Sequence, residues 1–103
     1  TRFEVRVPGA DSNPYLVLAT IISLGLRGIE RKLEISSPPL AKGNMADIDS
    51  HKLVRLARSL KEANERFMRQ GSVAREIFGD EFVQHFGGTR EHEIQLWEQT
   101  VTD

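Results

Sequence analysis

The sequence contains no cysteine. That absence excludes a disulfide framework and any thiolate metal site, and it fits a reducing compartment, so cytoplasm is the expected location. A long apolar run is missing too. The longest, Tyr15 to Leu26, covers 12 residues and is interrupted by Thr20, Ser23 and Gly25, whereas a membrane span needs about 20. Neither sign of charge dominates: 14 basic and 15 acidic side chains nearly cancel. There is then no broad positive field of the kind that gathers nucleic acid or an anionic membrane. A phosphate-cradling P-loop is also lacking, because Gly25-x-x-Gly28 is not followed by Lys-Ser/Thr and sits inside a helical pattern. The three histidines, His51, His85 and His92, form no i, i+4 pair, which leaves them surface or packing roles before a metal role. The chain opens without methionine or a targeting segment, directly in a strand-like pattern, and reads as an interior start.

What is present is enough for one modest core: at 103 residues, folding alone would bury somewhat over ~60% of the unfolded surface. Arg2 to Val7 alternates strictly, which as a strand sets Phe3, Val5 and Val7 on one face and Arg2, Glu4 and Arg6 on the other. Pro8 and Gly9 end that pattern. Asn13 then caps a helix whose first position is Pro14, where a missing N–H costs no intrahelical bond. The helix is predicted to run to about Lys32, with Leu16, Val17, Leu18, Ala19, Ile21, Ile22, Leu24, Leu26 and Ile29 around most of its circumference. So apolar a helix wants cover on several sides, and a lone strand wants partners; some of both is expected from polypeptide outside this sequence.

Leu33 to Ile35 reads as a short extended piece, Ser36 to about Ser50 as a loop, and Leu53 to Arg58 as a weak helical or extended segment. Ser59-Leu60-Lys61-Glu62 has capping-box spacing, and Leu60, Ala63 and Phe67 follow on one stripe before Gly71. Ser72 caps a short helix that Gly79 ends. Asp80 is read as the cap of a last helix carrying Phe82, Val83, Phe86, Ile94, Trp97 and Val101, which Gly87-Gly88 breaks or kinks. Phe82, Phe86 and Trp97, at helical spacing, read as core or subunit-contact residues.

The charged face of residues 2–7 is the one place where regular geometry lines up opposite charges, about 6 to 7 Å apart at i, i+2. A carboxylate between two guanidinium groups suits a metal that bridges phosphate oxygens. The same alternation also marks many solvated strand faces. The wider sequence decides between these readings. Arg2-Phe3-Glu4-Val5-Arg6-Val7-Pro8, Asn13-Pro14-Tyr15-Leu16 and Gly25-Leu26-Arg27-Gly28-Ile29 closely resemble the end of the catalytic domain of glutamine synthetases. That family has an Arg-x-Glu-x-Arg strand, a proline, an Asn-Pro-Tyr-Leu helix start and a Gly-Leu-x-Gly-Ile segment. The resemblance continues more loosely through Ser59-Leu60-x-Glu62-Ala63 and from Gly79 through Phe82 to Trp97.

The resemblance implies an α+β fold: an N-terminal strand of a larger antiparallel sheet followed by mainly α-helices, with residues 1–103 forming the C-terminal portion of an incomplete catalytic domain. It implies that Arg2 contacts ATP phosphate and that Glu4 binds a catalytic Mg²⁺ or Mn²⁺. Arg6, the catalytic residue of the set, would hold the glutamate substrate and its phosphorylated carboxyl. The implied activity is that of an ATP-dependent glutamate–ammonia ligase working through a γ-glutamyl phosphate in a homo-oligomer, and the present chain alone would be inactive. Two departures bear on this. Arg27 stands where many members have Asp, and Asn44-Met45-Ala46 lies where enzymes controlled by adenylylation carry a tyrosine, so that control is not expected. Pro8-Gly9-Ala10-Asp11 resembles the branch that includes γ-glutamyl ligases for amines, which opens amine acceptors beside ammonia. A noncatalytic protein of the same fold, and an independent helical module from residue 33 onward, are the readings from other classes.

Overall fold

The computed structural model describes residues 1–35 and 54–102. The expected loop from Ser36 to Ser50, the start of the Leu53 segment, His51 and Asn44-Met45-Ala46 lie outside the described residues. The chain divides into two compact units, Thr1–Glu34 and Ile35–Asp103. The division falls close to residue 33, the expected start of an independent helical module.

The first unit holds one helix, α1 (Pro14–Glu30), and its start is fixed by local chemistry. Asn13 Oδ1 accepts from the Tyr15 N–H at 2.9 Å and from that of Leu16 at 3.4 Å. Two of the amides that a helix start leaves without partners are thereby satisfied, and Pro14 contributes none. The helix stops at Glu30 rather than at Lys32. Leu33 N–H donates to Gly28 O at 2.9 Å and Lys32 N–H to Ile29 O at 3.2 Å. That pair of bonds defines a Schellman motif, and it needs a left-handed residue. Lys32 takes that place at φ 53°. No α1 residue is buried, and Tyr15, Leu18, Ile22, Leu26 and Ile29 form an exposed apolar stripe.

The expected strand does not form, and the α+β class is corrected: the described residues contain four helices and no strand or sheet. A strand exists only through a ladder, and among the described residues nothing pairs with the backbone of residues 1–7. Phe3, Val5 and Val7, expected together on one strand face, are exposed.

The second unit packs α2 (Leu60–Met68), α3 (Val73–Phe78) and α4 (Asp80–Thr102). At α2, Ser59 Oγ accepts the Glu62 N–H at 3.1 Å, while Glu62 Oε2 reaches one residue past the cap to accept from Arg58 N–H at 2.9 Å. Glu62 also pairs with Arg66 at 2.7 Å, and Arg66 Nη1 donates to Arg55 O at 2.7 Å. One carboxylate thus ties the entering chain to the first turn. Asp80, read as a cap, is instead the first residue of α4. The Val83 N–H goes to Gly79 O at 3.2 Å, so glycine occupies the capping position, and its φ of 87° turns the chain between α3 and α4.

Arg75 joins the three helices. Its Nε and Nη2 donate to Met68 O at 2.9 and 2.7 Å, and Nη1 donates to Asp80 Oδ1 at 3.0 Å. The last carbonyl of α2 is held by a cation where the helix dipole favours one, and the same cation faces an acidic side chain in the first turn of α4.

The core is small. Val83 is fully buried, a contribution of roughly 1.5–3 kcal/mol. Beside it Phe78, Phe82, Phe86 and Phe67 succeed one another at ring-centroid spacings of 5.2, 5.6 and 5.7 Å. The Arg90 guanidinium lies 5.0 Å above Phe86. The inward stripe of α2 is Asn64, Phe67 and Met68, not Leu60 and Ala63, which face solvent. Trp97 and Val101 are exposed as well, so the far end of α4 is no part of this core.

Gly87-Gly88 does not break α4, which runs continuously from Asp80 to Thr102. Met68 lies where a Gly87 side chain would be, with Cγ and Sδ against the site of the missing Cβ, and buried Asn64 donates from Nδ2 to Gly87 O at 3.0 Å. Gly88 faces open space. The neighbouring glycines should therefore respond with opposite signs. Gly87→Ala should destabilise the intact protein by about 1–3 kcal/mol through overpacking, whereas Gly88→Ala should be neutral or stabilise by up to about 1 kcal/mol. Urea unfolding of the two variants checks this, and equal shifts would contradict the packing described.

Candidate active-site segment

Three charged side chains two residues apart precede the turn that leads into α1. Ser12 N–H donates to Gly9 O at 3.2 Å in that turn, after which the Asn13 cap starts the helix. Two of the three charges meet: Arg6 Nε donates to Glu4 Oε1 at 2.6 Å, with the side chains 86% and 58% exposed. This is a short, charge-assisted bond made by one guanidinium nitrogen to one carboxylate oxygen. Among the described residues Glu4 Oε2 accepts no hydrogen bond, Arg6 Nη1 and Nη2 donate none, and Arg2 makes no ion pair. The structure thus joins Glu4 with Arg6 and leaves Arg2 apart.

Other candidates gather no chemistry. His85 and His92 are exposed on α4, and among the described residues no three His, Asp or Glu side chains group as a metal site would require. A Cβ at Gly25 or Gly28 would meet nothing within 4 Å. An open groove of about 700 Å³ runs past Met68, Ser72, Arg75 and Asp80, but its cation is already engaged by Met68 O and Asp80. A smaller one of about 310 Å³ lies between α2 and α4, lined by Asn64, Met68 and Ile94 among others. The sequence pattern gave Arg75 and Asn64 no part. An asparagine inside an apolar helical stripe was the available signal for the second; for Arg75 there was none.

Comparison with known proteins gives the family of the chain. The glutamine synthetase catalytic-domain family matches the chain over residues 1–103, and the chain belongs to that family. It is 41% identical over 106 residues to a type-1 glutamine synthetase of Dictyostelium discoideum, covering 95% of this chain and 20% of that protein. It is 43% identical over 97 residues to a glutamate–isopropylamine ligase of a Pseudomonas species, covering 94% and 19%. It is 36% identical over 102 residues to a gamma-glutamylethanolamide synthetase of Streptomyces coelicolor, covering 99% and 21%. The chain therefore spans about a fifth of the length of these curated relatives. No solved structure gives a significant match.

Exposure separates site chemistry from folding in this segment. Glu4→Gln and Arg6→Met should each change folding stability by less than about 1 kcal/mol, because exposed ion pairs contribute little. Thermal unfolding of the intact protein checks this, and a larger loss would mean that the segment is packed.

Proposed function

We propose that residues 1–103 are the C-terminal portion of a glutamine synthetase-type catalytic domain. The protein that contains them is an ATP-dependent glutamate–ammonia ligase making glutamine through γ-glutamyl phosphate. The observation that carries this reading is the family match over the whole chain, which takes in Arg2, Glu4 and Arg6 with the Asn13-Pro14 helix start behind them.

The roles are those that the family resemblance implies, and the charges suit them. Arg2 steadies ATP phosphate oxygens and Arg6 binds the glutamate carboxylate as an anion clamp. Glu4 is an exposed carboxylate with one oxygen free of hydrogen bonds among the described residues. Such a donor fits Mg²⁺ or Mn²⁺, which commonly takes one or two carboxylates together with phosphate oxygens and waters. The remaining protein ligands come from outside the described residues, so this chain alone is inactive. When bound, the metal neutralises the charge of the transferring phosphoryl group. The substrates are glutamate, ATP and ammonia, the enzyme is a cytoplasmic homo-oligomer, and neither nucleic acid nor a membrane takes part. No helix among the described residues is long and apolar enough to cross a membrane. Exposed Leu96, Trp97 and Val101 at the end of α4 are apolar surface of the kind that subunit contacts bury.

An amine acceptor is the second reading. It is favoured by the similarity to a glutamate–isopropylamine ligase and a gamma-glutamylethanolamide synthetase.

The test is phosphate release by the full-length protein with ATP, Mg²⁺ and glutamate, offering ammonia, isopropylamine and ethanolamine as acceptors. Turnover should stop on chelation and fall at least about 100-fold in Glu4→Ala, the scale of losing one electrostatic stabiliser of the transition state. A preference for an amine would select the second reading. No turnover with any acceptor, from folded protein, would overturn the enzyme.

A further inference from the structure

The ion pair at the head of the chain uses one oxygen of Glu4 and one nitrogen of Arg6. Arg6 spends only Nε on Glu4 Oε1, at 2.6 Å. Nη1 and Nη2, the two nitrogens that together grip a carboxylate or phosphate, stay unengaged among the described residues, as does Glu4 Oε2. A carboxylate offers about four lone-pair positions and a guanidinium five N–H donors, so this contact leaves each group able to take a second partner. Arg2, two residues from Glu4 on the other side, makes no such contact among the described residues.

We infer that Arg6 is a positioning residue for the metal ligand as well as an anion-binding group. Its Nε fixes the Glu4 carboxylate through Oε1 and leaves Oε2 for a divalent cation, while Nη1 and Nη2 serve the anionic substrate. The inference rests on the proposed role of Glu4 as a metal ligand. A carboxylate at the end of a mobile side chain loses rotamer freedom when it ligates; a partner already holding it reduces that cost. Hydrogen-bonded partners of metal ligands typically support 10–100-fold in affinity.

The alternative makes the opposite prediction. If Arg6 were only a nearby positive charge, it would repel the cation, and removing it would tighten metal binding. The sign of the change therefore decides, without any assay of turnover. Mn²⁺ binding to the full-length protein is followed through the paramagnetic resonance of the free ion, with no nucleotide or glutamate present, in wild type, Glu4→Gln, Arg6→Met and Arg6→Lys. The inference expects Glu4→Gln to weaken Mn²⁺ binding, Arg6→Met to weaken it about tenfold, and Arg6→Lys to fall between wild type and Arg6→Met, because lysine keeps a donor but not the fork. If Glu4→Gln weakens binding while Arg6→Met leaves it unchanged or tightens it, the inference fails and the metal-ligand role of Glu4 stands. Unchanged binding in Glu4→Gln would remove both. Arg6 is 86% exposed, and circular dichroism of each variant verifies that the fold is intact.

Discussion

The helical unit depends on a close approach at Gly87. Because that position has no side chain, Met68 lies directly on the backbone of α4, and Asn64, one turn earlier on α2, reaches the Gly87 carbonyl. The crossing sets what happens on either side. Toward the start of α4 it brings Phe67 against Phe86, closing the aromatic succession around fully buried Val83. At the end of α2 it places the Met68 carbonyl where Arg75 takes it with two nitrogens. The buried Asn64 makes this contact directional as well as apolar: a polar side chain with one good partner in a small core favours a single register, since any slip would leave it without that partner.

The proposed site residues Arg2, Glu4 and Arg6 belong to the other unit, which has no buried residue at all. There, local hydrogen bonds do the ordering: the Asn13 cap at one end of α1 and the Schellman closure over Lys32 at the other. Glu4 and Arg6 precede this capped helix and are organised by their own ion pair. Such a segment costs little in folding stability to alter, which leaves its side chains available for the proposed ligand-binding roles. The exposed stripe from Tyr15 to Ile29 is the counterpart of that economy: a helix with an apolar face and little within its own unit to cover it.

Local chemistry was the legible part of the fold. Asn13-Pro14, Ser59 with Glu62, Ser72 and Gly79 each carry their consequence within four residues, and each marks a boundary where the structure has one. The α+β expectation failed because the alternation of residues 2–7 specifies which faces a strand would have, not whether a ladder partner exists. The break expected at Gly87-Gly88 did not occur for a related reason: glycine weakens a helix locally, but in α4 one glycine is the contact on which two helices meet. The stripe on α2 was displaced by one residue because Asn64, polar by composition, is buried through a carbonyl 23 positions away. Of the candidate site, the charge order was readable from spacing. The roles came from resemblance, and the unequal treatment of Arg2 and Arg6 came from the structure.

The ligase proposed here would activate a carboxylate by attaching a phosphoryl group to one of its oxygens, after which the nitrogen nucleophile would expel that oxygen with the phosphate. The bond between the glutamate side-chain carbon and one of its original oxygens is the bond broken. Glutamate carrying ¹⁸O in its side-chain carboxylate, turned over by the full-length protein with ATP, Mg²⁺ and ammonia or an amine, therefore tests the account most directly. The account predicts one ¹⁸O in the inorganic phosphate for each amide formed, and none for any ATP hydrolysed by water. Amide formation with unlabelled phosphate would contradict the acyl-phosphate route and, with it, the proposed roles of Arg2, Glu4 and Arg6.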